Sequence, residues 1–340
     1  PGEGVMTEPH VVVHGAGLVG GFLGGALAHA GAKVTLLGRP RFLAPLTRGL
    51  RLTDLDRLDV QVAPERFTAT ADPACLAQAD LVLVCVKASA NPGVIAELAR
   101  HARPGTQVVS FQNGVHNAQQ LAQGAPRCDV VAGMVPFNIT QPAPGHWHRA
   151  TEGALHLSPH PAAAVLQPRW ATANLELRLA PDMRAVLWAK VLLNLNNPIN
   201  ALSGVPLVAE LADRDFRCVL AACMAEGLAA VRAAGIAPAQ LTRVRPGAIP
   251  ALLRLPTWLY SRLARRTLKI DPLARSSMAE DLERECATEI DEINGAVVKL
   301  GSAHGVKTPV NARVIELVRA AERGDRRRYT GRELRAAMPR

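Results

Sequence analysis

The chain has 340 residues, of which 49% are hydrophobic and 20% charged, and its formal net charge is +10. This length and composition predict a globular protein of two domains and exclude collagen-like and low-complexity chains. Most of the positive charge lies in segments 242–275 and 319–340, which contribute +7 and +5. Because these charges do not form a basic stripe with interleaved aromatic residues, we expect solvated arginines and no nucleic-acid partner.

In chain order, the first third alternates short apolar runs with helical patterns, as βαβ units do. Its predicted elements are strand 11–14, helix 17–30, strand 33–37, strand 80–86, helix 92–102 and strand 106–111. Short strands follow between 129 and 160. Long helical patterns then cover 182–203, 206–234, 276–303 and 309–323. The chain is therefore expected to form an α/β doubly wound parallel sheet over residues 1–180 and an all-α domain over 181–340.

Uncharged stretches occur at 9–32 and 191–209, but the first contains seven glycines and the second four asparagines and two prolines. Neither a membrane-spanning helix nor a signal peptide fits them, so we expect no membrane partner. The six cysteines are far apart with no C-x-x-C, which predicts a reduced, cytoplasmic protein. His146 and His148 lack a companion ligand, and no metal site is predicted.

A glycine-rich turn follows the first strand and opens the first helix, and its residues are Gly15, Ala16, Gly17, Leu18, Val19 and Gly20. The first glycine permits the tight turn, the second lets the backbone approach a pyrophosphate, and the third lets helix and strand pack closely. The helix N-terminus supplies N–H groups for the phosphates. In this context the motif predicts a dinucleotide-binding Rossmann domain.

Arg39 follows the second strand, where an NAD-selective site would place an acidic residue for the ribose 2′-hydroxyl. No acidic residue occurs between Glu8 and Asp54. Arg39, with Arg41 nearby, offers a planar cation for a 2′-phosphate, so NADPH is the predicted cofactor. The alternative is an arginine that is merely solvated at the end of a strand.

Lys190 lies in an apolar helical pattern together with two asparagines. At 100° per residue, Lys190, Asn194 and Asn197 fall within about 60° of one another, so one helix face carries a lysine and two carboxamides. Such a face predicts contact with a polar ligand, although a polar seam between packed elements would also explain it.

The chain also contains Val86-Lys87-Ala88, Gln112-Asn113-Gly114, Ser276-Ser277-Met278 and a Thr-Glu-Ile-Asp run from Thr288 to Gly295. Together with the glycine turn, Arg39 and the Lys190 helix, these motifs resemble the ketopantoate reductases (2-dehydropantoate 2-reductases) over nearly the whole chain. The resemblance implies a Rossmann domain followed by a helical domain for substrate binding and dimerisation. It also implies NADPH-dependent reduction of 2-dehydropantoate to (R)-pantoate, a reaction of pantothenate biosynthesis; a homodimer is left open.

The resemblance further implies a catalytic role for Lys190, Glu289 and Asn113. Lys190 would be the general acid that protonates the carbonyl oxygen, since apolar surroundings lower the pKa of a lysine towards working pH. Asn113 would lie near the nicotinamide, and Lys87 beside the cofactor. Glu289 would pair with Lys190 or with the substrate hydroxyl.

The resemblance implies substrate contacts for Asn194, Ser277 and Glu289. The chain departs from the family pattern at other positions near these residues. The family's second asparagine comes eight residues after the lysine, whereas here Asn197 comes at seven. Either the helix is locally adjusted or the substrate is held differently, with Asn200 as a substitute. Glu285-Cys286 replaces the usual Gly-Arg, and the insertion 242–275 carries Arg262, Arg265 and Arg266.

Ser277 and Glu289 are twelve residues apart, which in a straight helix is about 18 Å. If both contact one small oxoacid, the helix must be broken between 279 and 288, with Ser277 near a helix start. Two alternative functions remain at this point. The chain could reduce another branched 2-oxoacid, or it could be a non-catalytic NADP-sensing module, although a sensor would not need Lys190 and Glu289.

Overall fold

The computed structural model describes residues 8–264, 274–325 and 327–339. Contacts divide the chain into two compact units. The first runs to Gln112 and from His116 to Met183, and the second takes Asn113–Val115 and the chain from Arg184 onward. Residues 113–115, which the sequence places within the first domain, thus belong to the second unit. Arg265 and Arg266 of the insertion lie outside the described residues.

Twelve strands form in the described part of the first unit. They are β1 Val11–His14, β2 Val34–Leu37, β3 Leu50–Asp54, β4 Asp59–Val62, β5 Thr68–Thr70, β6 Leu81–Val84, β7 Gln107–Ser110, β8 Asp129–Met134, β9 Ile139–Ala143, β10 His146–Arg149, β11 Leu155–Leu157 and β12 Leu177–Leu179. Eight make one sheet in the order β12-β11-β8-β7-β6-β1-β2-β5, in which only β8 and β11 pair antiparallel. The predicted parallel sheet is confirmed.

Five α-helices also form from residue 8 onward in the first unit. They are α1 Leu18–His29, α2 Pro40–Leu43, α3 Asn91–His101, α4 Asn117–Gly124 and α5 Ala162–Ala171. Helix α1 carries no charged residue other than His29 and is buried on nearly every side from Gly20 to Ala28. A helix that is apolar all round must be covered on all sides, and two sheets provide that cover here.

The second sheet, in the order β4-β3-β10-β9, was not predicted. Its strands come from segments about 90 residues apart, since β3 pairs in parallel with β10. A Cβ on Gly21 of α1 would lie 2.5 Å from the buried ring of Trp147 in β10. The glycines of α1 therefore let this sheet approach the helix closely.

Ten α-helices form in the described part of the second unit. They are α6 Met183–Asn194, α7 Asn196–Ser203, α8 Leu207–Ala212, α9 Arg214–Ala233, α10 Ile249–Leu253, α11 Thr257–Ala264, α12 Ser277–Glu283, α13 Ile290–Ala303, α14 Pro309–Glu322 and α15 Gly331–Ala336. Their apolar faces enclose one core that includes Val219 and Met224 of α9 and Val297 of α13. The predicted all-α domain is confirmed. None of the helices among the described residues has both the length and the hydropathy needed to cross a membrane.

Three predicted helices are each divided in two. The first is interrupted at Leu195, because Pro198 has no N–H for the carbonyl of Asn194 and its ring crowds that group. The second is interrupted at Asp213, whose extended backbone and side chain cap α9. The third is interrupted between α12 and α13, as expected from Ser277 and Glu289.

The described arginines of the C-terminal segment are exposed, as expected, but the segment also packs on the second unit. Leu334 of α15 is fully buried, Arg335 pairs with Asp215 at 2.7 Å, and the Tyr329 N–H donates to Leu202. One apolar side chain and several arginine contacts therefore hold α15 on the second unit.

Candidate active site

The three glycines of the turn after β1 have different physical roles. Gly15 has φ of 107°, which side chains disfavour. A Cβ on Gly20 would lie 2.0 Å from the Gly15 carbonyl oxygen, so Gly20 is required by packing. Gly17 has an ordinary φ of −80°, and a Cβ there would meet no atom within 4 Å. Neither its backbone conformation nor its packing requires glycine. The open space beside Gly17 leaves room for a ligand to approach the backbone.

The N-terminus of α1 opens at this same turn. Gly17 caps the helix without a side-chain hydrogen bond, and the first turn contains no acidic residue. The partly buried residues Leu18 and Val19 begin the helix, while the Ala16 N–H is already bound to Leu37. The free N–H groups of a helix start favour an anion. Together with the open space at Gly17, they fit the pyrophosphate of a dinucleotide.

Arg39 lies at the same edge of the sheet as the glycine turn. Strands β1 and β2 run parallel with His14 opposite Leu37, and a Cβ on Gly38 would lie 3.0 Å from the Ala16 Cβ. The Arg39 side chain is exposed and makes no hydrogen bond or ion pair with any described residue. Its neighbour Arg41 instead stacks on Phe42 at 4.8 Å. Arg39 is thus available to a phosphate.

The loop that carries Lys87 is held by a buried amide network that the sequence analysis missed. Gln112 donates to the Val86 carbonyl at 3.1 Å and to Asn91 Oδ1 at 2.7 Å, and it accepts from Ser110. The first residue of the Gln-Asn-Gly motif therefore fixes the backbone next to Lys87, at the ends of β6 and β7. The glutamine of this motif could have indicated the network in the sequence, because its side-chain amide can both donate and accept hydrogen bonds.

Lys190 lies two residues before the buried Leu192 in α6, among the apolar side chains that pack the second unit. Burial lowers its pKa to about 8, because low-dielectric surroundings disfavour the ammonium form. An amine with this pKa holds its proton at neutral pH and releases it far more readily than an ordinary lysine. The site therefore contains a group suited to proton transfer.

Asn194 and Asn197 stand on either side of the break at Leu195. The side-chain amides of both make no hydrogen bond with described residues, and Asn194 is 9% exposed while Asn197 is partly buried. Because α6 ends at Asn194, the premise of one continuous helical face was wrong for Asn197. The structure shows the local adjustment of the helix that the sequence left as one alternative.

Asn113 and Glu289 are brought together from distant parts of the sequence. The Asn113 Nδ2 donates to Glu289 Oε2 at 2.8 Å, and Glu289 stands at the N-cap of α13. Both side chains are partly buried. An amide and a carboxylate in contact on one unit can orient a hydroxyl or a carbonyl group jointly.

Ser276 and Ser277 face opposite ways at the start of α12. Ser276 is 2% exposed, caps the helix by accepting from the Ala279 N–H, and donates to the Asn197 carbonyl at 2.9 Å. Ser277 is exposed, and its hydroxyl has no hydrogen-bond partner among the described residues. The expected position of Ser277 at a helix start is confirmed, whereas the capping role of Ser276 was missed.

Asn200 is fully buried and its amide is fully used. It donates to the Val205 carbonyl at 2.9 Å and to Glu210 Oε2 at 2.7 Å, and it accepts from the Ser276 N–H at 2.8 Å. Both N–H donors are used and the oxygen is enclosed by the chain, so the amide is not accessible to a substrate. The expectation that Asn200 substitutes as a substrate ligand is therefore not supported by its contacts.

The break between α12 and α13 contains Glu285, whose φ of 53° lies in the left-handed region. A glycine would adopt this conformation without strain. The irregularity expected between 279 and 288 is confirmed, with a glutamate where glycine is favoured.

His146 and His148 of β10 both contact the Thr53 hydroxyl at 2.8 Å. Within the described part of the chain, no group of three or more His, Cys, Asp or Glu side chains could hold a metal ion. These imidazoles therefore join two strands of the second sheet.

Comparisons with known proteins match both parts of the chain to one family. Residues 11–162 match the family model of "Ketopantoate reductase PanE/ApbA", and residues 182–322 match the model of its C-terminal part. A 2-dehydropantoate 2-reductase of Halobacterium salinarum is 30% identical, covering 92% of this chain and 99% of the relative. One from Archaeoglobus fulgidus is 28% identical, covering 94% and 100%.

Among solved structures, a PanE/ApbA family ketopantoate reductase from Ralstonia eutropha is similar with a TM-score of 0.77 and 31% identity. The match covers 92% of this chain and 98% of that protein. The similarity extends through both units, so it includes the glycine turn of the first and the helices that carry Lys190 and Glu289 in the second.

Proposed function

The chain belongs to the ketopantoate reductase family and is an oxidoreductase, and we propose that it catalyses NADPH-dependent reduction of 2-dehydropantoate to (R)-pantoate in pantothenate biosynthesis. The observation that carries this proposal is Lys190, whose pKa is lowered to about 8 by burial in α6. A protonated group of this acidity suits the carbonyl reduction of a 2-oxoacid, in which the oxygen gains a proton.

NADPH, when bound, supplies the hydride. Its pyrophosphate would be held by the turn from Gly15 to Gly20 and by the N-terminus of α1, where Gly17 leaves open space. Arg39 would hold the 2′-phosphate, and Lys87 would lie beside the cofactor. The exposed, unpartnered guanidinium of Arg39 supports the choice of NADPH over NADH.

Lys190 would hold the proton on Nζ until the substrate carbonyl oxygen acquires negative charge, and would then transfer it to that oxygen. Its ammonium group also stabilises the developing alkoxide electrostatically. Asn113 and Glu289 would act as a pair that orients the substrate oxygen and the nicotinamide end of the cofactor, since their side chains are already hydrogen-bonded.

The remaining substrate contacts would come from side chains that have no internal partner. Asn194, Asn197 and Ser277 meet this condition among the described residues. Ser277 would receive the substrate carboxylate. Asn200 would not contact the substrate, because its amide is hydrogen-bonded within the second unit.

Steady-state kinetics on a panel of 2-oxoacids with NADPH and with NADH tests the function. The panel contains 2-dehydropantoate, 2-oxoisovalerate and phenylglyoxylate. We expect kcat/KM to be highest for 2-dehydropantoate with NADPH. A higher value for another 2-oxoacid would assign a different substrate, and no turnover with any member would contradict an oxidoreductase of this substrate class.

We further propose a cytoplasmic homodimer. All six cysteines are free thiols, which suits a reducing compartment. In helix α11, Trp258 is 71% and Leu263 is 42% exposed, so one copy leaves large apolar side chains uncovered. Sedimentation velocity should give twice the 36.2 kDa chain mass, and a single species at 36.2 kDa would exclude the dimer.

A further inference from the structure

Glu210 of α8 is an acidic side chain in the interior of the second unit. It is 1% exposed, and no described basic side chain forms an ion pair with it. Its carboxyl group accepts from Asn200 Nδ2 at 2.7 Å and is also hydrogen-bonded by the Asn196 side chain. Burying a carboxyl group costs free energy, whereas an apolar side chain at this position would not. The presence of Glu210 therefore suggests a role other than packing.

The contacts of Glu210 continue into α12. Asn200 uses its second N–H on the Val205 carbonyl and its oxygen on the Ser276 N–H. Ser276 in turn donates its hydroxyl to the Asn197 carbonyl and caps α12. An unbroken series of hydrogen bonds therefore joins α8, α7 and the N-cap residue of α12.

Two residues of this series, Ser276 and Asn196, are each followed by a residue whose side chain is not part of it. Ser276 is buried and Ser277 is exposed, while Asn196 contacts Glu210 and Asn197 has an unpartnered amide. The series therefore fixes the backbone from which Asn197 and Ser277 project. These are two of the side chains to which the proposed function assigns the substrate.

We propose that Glu210 is a positioning residue for the oxoacid, which holds the start of α12 against α7 through Asn200 and so sets the place of Ser277. This inference rests on the proposed function. Without the carboxyl group, one N–H of Asn200 would be buried without its acceptor, and any turn of the amide that satisfied it would release the Ser276 N–H. Ser277 would then be displaced from the substrate.

Glu210 acts here as a neutral acid. Burial raises its pKa to about 8, against the smaller lowering effect of the hydrogen bonds from Asn200 and Asn196. The Asn196 Oδ1 is buried with no partner among the described residues, and turning that amide over would give the Glu210 proton an acceptor. Glutamine has the same shape and can donate and accept at the same two places.

The experiment compares Glu210→Gln with Glu210→Ala, with Glu316→Ala on the exposed face of α14 as control. For Glu210→Ala we expect the KM for 2-dehydropantoate to rise about 10-fold, with kcat changed less than 3-fold and the KM for NADPH unchanged. Glu210→Gln and the control should stay within 2-fold of wild type. Glu210→Met, which fills the volume without an acceptor, takes the place of the alanine variant if that does not fold.

Amide hydrogen exchange at Ser276 gives a readout that needs no substrate. Its N–H should exchange at least 10-fold faster in Glu210→Ala than in wild type or Glu210→Gln. Unchanged Ser276 exchange, or equal rises in KM for both substrates, would overturn the proposal. If wild type does not reduce 2-dehydropantoate, the proposed function fails separately, and Ser276 exchange still decides whether Glu210 holds α12.

Discussion

The side-chain amide of Asn113 donates a hydrogen bond to Glu289 across 176 residues of sequence. Asn113 comes from a segment of three residues that belongs to the second unit, although the chain before and after it belongs to the first. The Gln-Asn-Gly motif and the Thr-Glu-Ile-Asp motif therefore contribute to one arrangement. Two predictions about catalysis follow from this pair and from Lys190.

Asn113→Ala and Glu289→Ala should be strongly non-additive. If the two side chains orient the substrate together, either change alone removes most of their joint contribution, so the double variant should lose little more kcat/KM than the worse single variant. A double-mutant cycle with 2-dehydropantoate measures this. Glu292→Ala, three residues after Glu289 in α13, is the control. Additive losses of kcat/KM in the double variant would show that Asn113 and Glu289 act independently.

Lys190→Ala should lower kcat by about 10²- to 10⁴-fold, as expected for a lost general acid. In wild type, kcat should be level below pH 8 and should fall about tenfold per pH unit above it, because the lowered pKa of about 8 marks the loss of the proton. Lys190→Arg cannot release a proton at these pH values and should also be slow. The exposed Lys299→Ala should match wild type; a wild-type rate in Lys190→Ala would refute the mechanism.

Arg39→Ala should raise the KM for NADPH with little change in kcat, because a 2′-phosphate is bound equally in the ground and transition states. The KM for NADH should change far less, since NADH lacks that phosphate. Arg41→Ala is the matched control, as Arg41 stacks on Phe42. Equal increases in the KM values for NADPH and NADH would show that Arg39 does not bind the 2′-phosphate.

Arg149 and Asp54 form a buried ion pair at 2.6 Å between paired positions of β10 and β3. Burial alone would raise the pKa of Asp54, but hydrogen bonds from Leu58, Arg149, Asp56 and Asn174 lower it to about 2. This stabilisation is present above the usual pKa near 3.8 and is lost as pH falls through about 2, so the free energy of unfolding should drop between pH 4 and 2.

Arg149→Met should lower the free energy of unfolding at pH 7 by about 3 kcal/mol, because Asp54 would remain buried without its partner. Arg51→Met in the same sheet removes an exposed pair with Asp59 and should cost much less, because solvent screens exposed charges. Urea unfolding at several pH values measures both. Equal losses in the two variants would show that burial does not distinguish these pairs.

Glu285→Gly should stabilise the chain by about 0.5 kcal/mol. An L-residue in the left-handed region costs about 1–2 kcal/mol, and the greater freedom of glycine in the unfolded state offsets part of the gain. Glu285→Ala keeps the strained backbone and separates the effect of the side chain from that of φ. A glycine variant no more stable than the alanine variant, by urea midpoint, would show that the φ of 53° carries no strain.

Local sequence patterns located the candidate site residues that depend on neighbouring residues. The turn from Gly15 to Gly20, Arg39 after β2 and Lys190 in an apolar helix were all identified, since a strand, a turn and a helix face each show within a few residues. Helix 182–203 was predicted as continuous, although Pro198 could have indicated the end of α6, because its effect falls on the carbonyl four residues before it. The break after Ser277 followed from the length of a straight helix together with the family resemblance, which places both Ser277 and Glu289 at one substrate.

Tertiary structure decided which of these polar side chains have internal partners. Ser276 and Ser277 have the same side chain and adjacent positions, yet the contact with Asn200 makes one buried and leaves the other exposed. Asn200 and Glu210 are ten residues apart, and β3 pairs with β10 some 90 residues later. Sequence periodicity specifies a face of a helix or strand, but the partner on that face comes from a distant segment, and only the packed chain determines which one it is.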